Sequence, residues 1–130
     1  MSTQTLAQRR AAHALACVQK HVGKSYGNYV SYVSALPATI LMNGLGQACA
    51  TLLSKAGGDK TKPHRLLYAD LEKWLCGSDS AAPYKGTPEL MNAIVTGTQD
   101  KYLRAQAEAL SYLVWLKKFA NAYLEHGTSE

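Results

Sequence analysis

Histidine and cysteine side chains recur every four residues near the N-terminus, at His13, Cys17 and His21. Residues four apart lie on one side of a helix, and imidazole and thiolate groups are ligands that zinc prefers. A closed zinc site needs a fourth ligand, however, and the sequence offers no CxxC or HxxxH pair elsewhere to complete one. We therefore interpret these side chains as helix-surface histidines beside a small thiol, and we predict no metal and no cofactor.

Catalytic motifs are absent from the sequence. The nine acidic residues are scattered singly, and no nucleophile elbow, phosphate-binding glycine loop, HExxH motif or paired-carboxylate motif occurs. The sequence also contains no recognisable helix-turn-helix, zinc finger or basic region that leads into heptads. It therefore predicts a protein that has no catalytic residues and does not read DNA sequence.

The cysteines and the apolar runs bear on cellular location. Cys17, Cys49 and Cys76 are widely spaced in apolar surroundings, and an odd number of such residues suits a reducing compartment and buried free thiols. No run of about 20 apolar residues occurs, and the first residues lack the apolar core of a signal peptide. We expect a cytoplasmic protein that does not enter a membrane.

Charge is distributed unevenly along the chain. Residues 1–58 contain five basic side chains and no acidic one, whereas the remainder contains nine of each, so the net charge of +5 comes from the first part. The five are Arg9, Arg10, Lys20, Lys24 and Lys55. A segment of one charge sign indicates a surface that faces a polyanion, or else a solvated helix surface.

A helix over residues 3–22 would place most of these cations together. Its predicted apolar stripe consists of Ala7, Ala11, Ala14, Leu15, Val18 and Val22. Arg9, His13, Lys20 and Lys24 would lie opposite that stripe, with Arg10 and His21 alongside. Both interpretations of this basic face, a solvated surface and an RNA-binding surface, remain open.

Tyr26, Tyr29 and Tyr32 are spaced by three in the connection that follows. Tyrosines beside a basic face could stack on RNA bases. In helix connections they more often pack their rings on the core, and we prefer that interpretation.

Residues 36–55 are predicted to form one central helix with Pro37 in its first turn. Gly44 and Gly46 each cost about 1 kcal/mol relative to alanine inside a helix. Close approach of another helix would compensate for them; a loosely packed helix is the alternative. Before this helix, Asn28 is predicted to start a short helical turn that ends ahead of Pro37.

Further helices follow from apolar spacing and capping residues. A helix is predicted over residues 63–76, and a short one after Thr87, Pro88 and Glu89, with Thr87 as its cap. Thr98 is predicted to start the longest helix, whose apolar stripe of Leu103, Ala107, Leu110 and Val114 broadens at residues 112–116 and continues through Ala120 and Leu124. No segment alternates with period two over the length of a strand. The predicted fold class is an all-α, single-domain bundle of about five to six helices over residues 1–130.

Several blocks of the sequence resemble a known family. They comprise Leu36-Pro37, Ile40, residues 43–47 and 53–55 in the central stretch, residues 102–104, 108–110 and 115–120 near the C-terminus, and Arg9, Ala12 and Val18. In order and spacing they resemble the small helical subunit of the type III-B CRISPR RAMP-module (Cmr) complex, which cleaves RNA.

The resemblance implies a non-catalytic subunit, several copies of which form a minor filament along the guide and target RNA. Its expected partners are the large polymerase-like subunit, the backbone subunits that cleave RNA, and further copies of itself. The RNA-facing candidates it implies are Arg9, Arg10, Lys20, Lys24, Lys117 and Lys118. The alternative is a free-standing helical nucleic-acid-binding or regulatory protein.

Overall fold

The computed structural model describes residues 3–24 and 26–125. These residues form six helices and no strand, which confirms the all-α prediction for this part of the chain. The helices are α1 (Leu6–His21), α2 (Gly27–Asn43), α3 (Leu45–Ala56), α4 (Pro63–Leu75), α5 (Leu90–Thr96) and α6 (Gln99–Tyr123). In the described residues, no helix is both long enough and apolar enough to cross a membrane. A single domain over residues 1–130 extends past the described part and stays a prediction.

Helix α6 is the longest element, and α1 and α2 pack against it. Helices α3 and α4 pack against each other and against α2, so that one hydrophobic core is shared among the helices. The largest side chains that are fully buried in this core are those of Tyr29, Tyr68 and Tyr112.

The prediction of a single helix over residues 36–55 is wrong, because Gly44 divides that stretch. Gly44 has φ 89° and ψ 158°, a backbone conformation that residues with a Cβ atom rarely adopt. Pro37 lies inside α2, and not in a first turn, so the short turn predicted before it is also wrong. Proline lacks the N–H that would bond to the carbonyl of Val33, and α2 continues without that hydrogen bond.

The close approach predicted at Gly44 and Gly46 is confirmed. A Cβ atom placed on Gly44 would lie 2.9 Å from the hydroxyl oxygen of Tyr102, and one placed on Gly46 would lie 3.4 Å from Cγ2 of Ile94. The same region of α6 caps α3. The backbone N–H of Leu45 donates to Oε1 of Gln106 at 2.9 Å, and that of Gly46 donates to the Tyr102 hydroxyl at 2.9 Å. These bonds satisfy N–H groups that the first turn of a helix leaves unpaired.

Helix α5 begins differently from the prediction. Its cap is Glu89, whose carboxylate accepts hydrogen bonds from the backbone N–H groups of Met91 and Asn92 and from the Tyr68 hydroxyl. Thr87 is not the cap, because its hydroxyl donates instead to the carbonyl of Tyr84 at 2.7 Å. The Tyr68 hydroxyl also holds the pKa of the Glu89 carboxyl below its usual value. Helix α6, by contrast, begins at its predicted cap, Thr98, which accepts from the N–H of Lys101.

The first part of the predicted apolar stripe of α6 faces outward, which is a correction, whereas its continuation at Tyr112, Leu113, Leu116 and Ala120 is buried as predicted. Leu103, Ala107 and Val114 are exposed, and Leu110 is half-buried. The buried side of α6 consists of Ala105, Glu108, Ala109, Tyr112, Leu113, Leu116 and Ala120. Small alanines let α1 and α2 approach α6 closely on that side. Glu108 is also buried there, because its carboxylate accepts hydrogen bonds from the Arg10 guanidinium and the Trp74 indole.

Candidate nucleic-acid interface

Helix α1 carries three of the six predicted RNA-facing cations, and its buried side matches the predicted one only in part. Ala14 and Val18 of the predicted stripe are buried together with Cys17 and His21, whereas the predicted stripe residues Ala7 and Val22 are exposed. Polar side chains of α1 find partners on α4, on α6 and in the segment after α4. The predicted basic face is therefore divided between the protein interior and solvent.

Arg9 is tied to Asp79, which follows α4. Its Nε donates to Oδ2 of Asp79 at 2.8 Å and its Nη2 donates to Oδ1 at 3.3 Å, while Nη1 donates to the carbonyl of Gln4. Asp79 also accepts a hydrogen bond from the N–H of Ala81. The Arg9 guanidinium holds the pKa of the Asp79 carboxyl below its usual value. This two-point geometry fixes the start of α1 against the segment after α4.

Arg10 is held by Glu108 on α6. The guanidinium donates through Nε at 2.6 Å and through Nη2 at 2.8 Å to the two carboxylate oxygens. The indole Nε1 of Trp74 donates to the same carboxylate at 2.9 Å. The pKa of Arg10 is raised by its hydrogen bond to Glu108. The exposed fraction is 20% for the Arg10 side chain and 10% for that of Glu108, so this pair joins α1 to α6 within the bundle.

The four predicted lysines are placed differently from the arginines. Lys20, Lys24, Lys117 and Lys118 are exposed, and none of them forms an ion pair with a residue in the described part of the chain. They leave their full positive charge in solvent, where a phosphate group can reach it.

These lysines lie toward one end of the bundle. Contacts between α1 and α6 advance in the same direction along both helices, from Arg10 with Glu108 to Cys17 with Tyr112. The C-terminal turns of α1 and α6 therefore point the same way. We call the set Lys20, Lys24, Lys117 and Lys118 the basic end.

Known proteins provide a direct comparison. The family described as CRISPR-associated protein (Cas_Cmr5) matches residues 6–123 of this chain. The chain belongs to the Cmr5 family. It is similar in structure to a CRISPR-associated Cmr5 family protein from Thermus thermophilus, whose X-ray crystal structure it matches with a TM-score of 0.73 and 26% sequence identity. That match covers 94% of this chain and 100% of the other. The family resemblance noted in the sequence is confirmed, and the chain is a subunit of a CRISPR Cmr complex.

His13 and His21 serve the packing of the bundle in this Cmr5 family member. Nε2 of His21 lies 2.9 Å from Oδ2 of Asp70, and the hydroxyl of Tyr29 donates to the same oxygen at 2.6 Å. Nδ1 of His13 lies 2.7 Å from the Tyr112 hydroxyl, and burial lowers the pKa of His13. Within the described residues, no group of three potential ligands is arranged to hold a metal ion. The four-residue spacing reflects the face that α1 presents to α4 and α6.

The tyrosines of the α1–α2 region pack, as the preferred interpretation predicts. Tyr29 is fully buried, and its hydroxyl bonds to Asp70 and does not point to water. The ring of Tyr32 stacks on that of His64 with centroids 3.9 Å apart, and Tyr26 meets His21 edge-on. Tyr29 is therefore closed to stacking on a base.

Sequence reasoning missed the carboxylates that organise this surface. Asp70, Asp79 and Glu108 each bind a residue of α1, from 49, 70 and 98 positions away in the sequence. Each is a single acidic residue in a segment of mixed residue types, so no local spacing pattern distinguishes it from an acidic residue that is exposed to solvent. The structure also separates the six RNA-facing candidates into two paired arginines and four lysines without an ion pair.

Proposed function

We propose that this Cmr5 family member is a non-catalytic subunit of a type III-B RNA-guided effector complex, and that it contacts guide or target RNA through the basic end. Several copies would line up as a minor filament beside the backbone subunits, connecting the large polymerase-like subunit to the distal end of the complex. Such a complex meets its RNA in the cytoplasm. Membership of the Cmr5 family supports the assignment to the complex.

The observation that carries the RNA contact is the charge at the basic end. Four lysines lie toward one end of two neighbouring helices without carboxylate partners in the described residues. Exposed lysines without carboxylate partners can neutralise a polyanion, and RNA supplies phosphates at regular spacing. Arg9 and Arg10 would contribute less, since a phosphate would have to compete with Asp79 or Glu108 for each guanidinium.

A non-catalytic role is supported by the carboxylates. Asp70, Asp79, Glu89 and Glu108 are each engaged by donors within the protein. A carboxylate in such a structural role is poorly placed to activate water or to hold a catalytic metal. RNA cleavage would belong to the backbone subunits of the complex.

Affinity purification of a tagged copy from cells that carry the complete CRISPR system tests this function. The tagged chain should bring with it a guide RNA of defined length together with the large and backbone subunits. The purified chain alone should leave RNA intact, with or without divalent metal. A chain that purifies alone and binds RNA tightly by itself would be a free-standing RNA-binding protein, and this outcome would contradict the proposal.

A further inference from the structure

A groove with a volume of about 220 Å³ lies between α2 and α3. Its floor is aliphatic and consists of the buried side chains of Leu36, Ala48 and Leu52. Its rim includes the small residues Ala35, Thr39 and Thr51, which are too short to close over the floor. We call this feature the α2–α3 groove.

Helical spacing fixes the direction of the α2–α3 groove. The groove-facing residues of α2 are 32, 35, 36 and 39, and those of α3 are 48, 51, 52 and 55. Intervals of three and four residues keep each set on one side of its helix. Because the two helices join at Gly44, Tyr32 and Lys55, which are 12 residues before it and 11 after it, lie at the end of the groove farthest from that corner. His64, in the first turn of α4, lies at the same end, since its ring stacks on that of Tyr32 with centroids 3.9 Å apart.

This end of the groove carries excess positive charge. The Lys55 side chain is exposed and forms no ion pair with a residue in the described part of the chain. Burial and the positive charges of Lys55 and Lys62 lower the pKa of His64. Asp59 is the one acidic residue between α3 and α4, and its carboxylate accepts hydrogen bonds from the N–H and the hydroxyl of Thr61. The groove therefore combines an aliphatic floor with an end that favours an anion.

We propose that the α2–α3 groove binds one large apolar side chain of another protein, with an acidic residue beside it in the partner's sequence. The apolar side chain would lie on Leu36 and Leu52, and the carboxylate would bind Lys55 and His64 where the groove ends. Pockets that hold drug-sized ligands measure about 300 to 1,000 Å³. A groove of about 220 Å³ suits a single anchoring side chain of the kind that dominates the affinity of protein interfaces. The opposite charges would set the orientation of the partner.

A second copy of the chain fits the groove less well. Among the large apolar side chains that are exposed in the described residues, Tyr123 alone lies within two positions of an acidic residue, Glu125. Tyr123 belongs to the basic end, so its approach would bring Lys117 and Lys118 toward Lys55. The whole chain carries a net charge of +5, which also opposes such a contact.

RNA also fits less well. Proteins bind unpaired bases by stacking them on aromatic or arginine side chains and by hydrogen bonds to their edges. Leu36, Ala48 and Leu52 offer neither on the floor of the groove, and the ring of Tyr32 is already stacked on His64.

Short labelled peptides test the proposal with the full chain. The acidic probe contains one phenylalanine followed by two aspartates within a flexible glycine–serine sequence. A second probe replaces both aspartates by lysine, and a third replaces the phenylalanine by serine. Fluorescence anisotropy should detect binding of the acidic probe at concentrations up to about 1 mM, weakened by salt, and binding at least about tenfold weaker for the other two.

NMR titration of His64 shows whether the carboxylate binds at the expected end of the groove. A carboxylate that faces the imidazole favours its protonated form, so the acidic probe should raise the pKa of His64 from its lowered value in the free protein. Because protonated His64 then binds the probe better, affinity should increase as the pH falls from about 8 to about 6. The signals of His13 and His21, which pack inside the bundle, should not shift.

Two pairs of matched variants separate the apolar and the charged contact. Ala35→Leu would fill the groove and should weaken binding of the acidic probe by about tenfold or more, whereas Ala38→Leu, at an exposed alanine of α2 outside the groove, should leave the affinity unchanged. Lys55→Gln should weaken binding of the acidic probe, and Lys73→Gln, at an exposed lysine of α4 that does not line the groove, should not. Thr51→Leu serves as a second groove-filling variant if circular dichroism finds Ala35→Leu unfolded.

Several outcomes would overturn the proposal. No binding of the acidic probe, equal binding of all three probes, an unchanged His64 pKa, or equal loss in the two alanine variants would each do so. If the chain self-associates in sedimentation and Ala35→Leu does not, the occupant is a second copy. If single-stranded RNA shifts the His64 signal and the acidic probe does not, the groove belongs to an RNA path. Since the peptide assay contains no RNA and no other subunit, its failure leaves the proposed function untouched, and the converse also holds.

Discussion

The guanidinium of Arg10 and the carboxylate of Glu108 form two hydrogen bonds, 2.6 Å and 2.8 Å long, between the first and the last helix of the bundle. Glu108 receives a third from the indole of Trp74. This carboxylate is buried, so its charge is acceptable only while the donors remain in place. The pair therefore makes the docking of α1 on α6 depend on one arginine.

Replacement of Arg10 by alanine should lower the free energy of unfolding by about 2 to 3 kcal/mol, because it leaves a buried carboxylate without its counter-charge. This value lies below that of a fully buried pair, since 20% of the Arg10 side chain is exposed. Urea denaturation measures it, with exposed Lys20→Ala as the control. Adding Glu108→Gln to the variant should recover part of the loss. Strictly additive effects of the two substitutions would mean that the pair is not coupled.

Gly44→Leu should destabilise the protein by about 2 to 4 kcal/mol, since it combines backbone strain at φ 89° with a collision against Tyr102. Gly58→Ala is the control, because Gly58 has no strained φ and no neighbour within 4 Å of an added Cβ. In a Tyr102→Phe background the loss should be smaller, since the hydroxyl that collides is gone. A neutral Gly44→Leu in urea denaturation would show that α6 does not hold the corner between α2 and α3 this closely.

Acid should destabilise the protein partly through Asp79. Its carboxyl pKa is lowered by Arg9 from an ordinary value of 3.8, so the unfolded chain binds the proton more readily. The stability contributed by the ion pair is complete above about pH 5 and is lost as the pH falls through the folded-state pKa. The difference in unfolding free energy between wild type and Asp79→Asn should therefore be constant from pH 7 to about 5 and shrink below about 4. A difference that stays constant down to pH 2 would contradict the pairing.

Only one of the three thiols should react with a maleimide while the protein is folded. Burial raises the pKa of Cys17 to about 11 and that of Cys49 to about 12, whereas Cys76 is only half-buried. At pH 8 the folded protein should take up one label, slowly, and Cys76→Ser should abolish that uptake. All three thiols should react once urea has unfolded the chain. Rapid labelling of Cys17 or Cys49 in the folded state would contradict their burial.

Local sequence signals predict the helices well and their contacts poorly. Capping residues and apolar spacing locate α1, α4 and α6 to within a few residues, because those signals act over one or two turns. The break at Gly44 is missed, since glycine is compatible with a helix interior and only its positive φ reveals the corner. The partners of Arg9 and Arg10 are missed because they lie 70 and 98 residues away.

The apolar spacing at the start of α6 misleads sequence reasoning for a related reason. Leu103, Leu110 and Val114 have the regular spacing of a core face, whereas the core face of α6 combines alanines with Tyr112, Leu113, Leu116 and the buried Glu108. Hydrophobic periodicity alone does not distinguish these two sides of the helix. Charge and family resemblance indicate Lys20, Lys24, Lys117 and Lys118 from the sequence, and these side chains are exposed in the structure.

The salt dependence of RNA affinity in the assembled complex tests the RNA contact most directly. Two variants are compared, each with four lysines replaced by glutamine. The first changes the basic end, Lys20, Lys24, Lys117 and Lys118. The control, which has the same net charge as the first, changes four other exposed lysines, Lys60, Lys62, Lys73 and Lys85. The first should make the slope of log affinity against log salt shallower by about 3 units for each copy that contacts the RNA, at roughly 0.7 to 0.9 per lost phosphate contact, similarly for unrelated RNA sequences. The control should leave the slope near its wild-type value. Equal slopes in wild type and the first variant would mean that the basic end faces solvent or protein and that the RNA runs elsewhere.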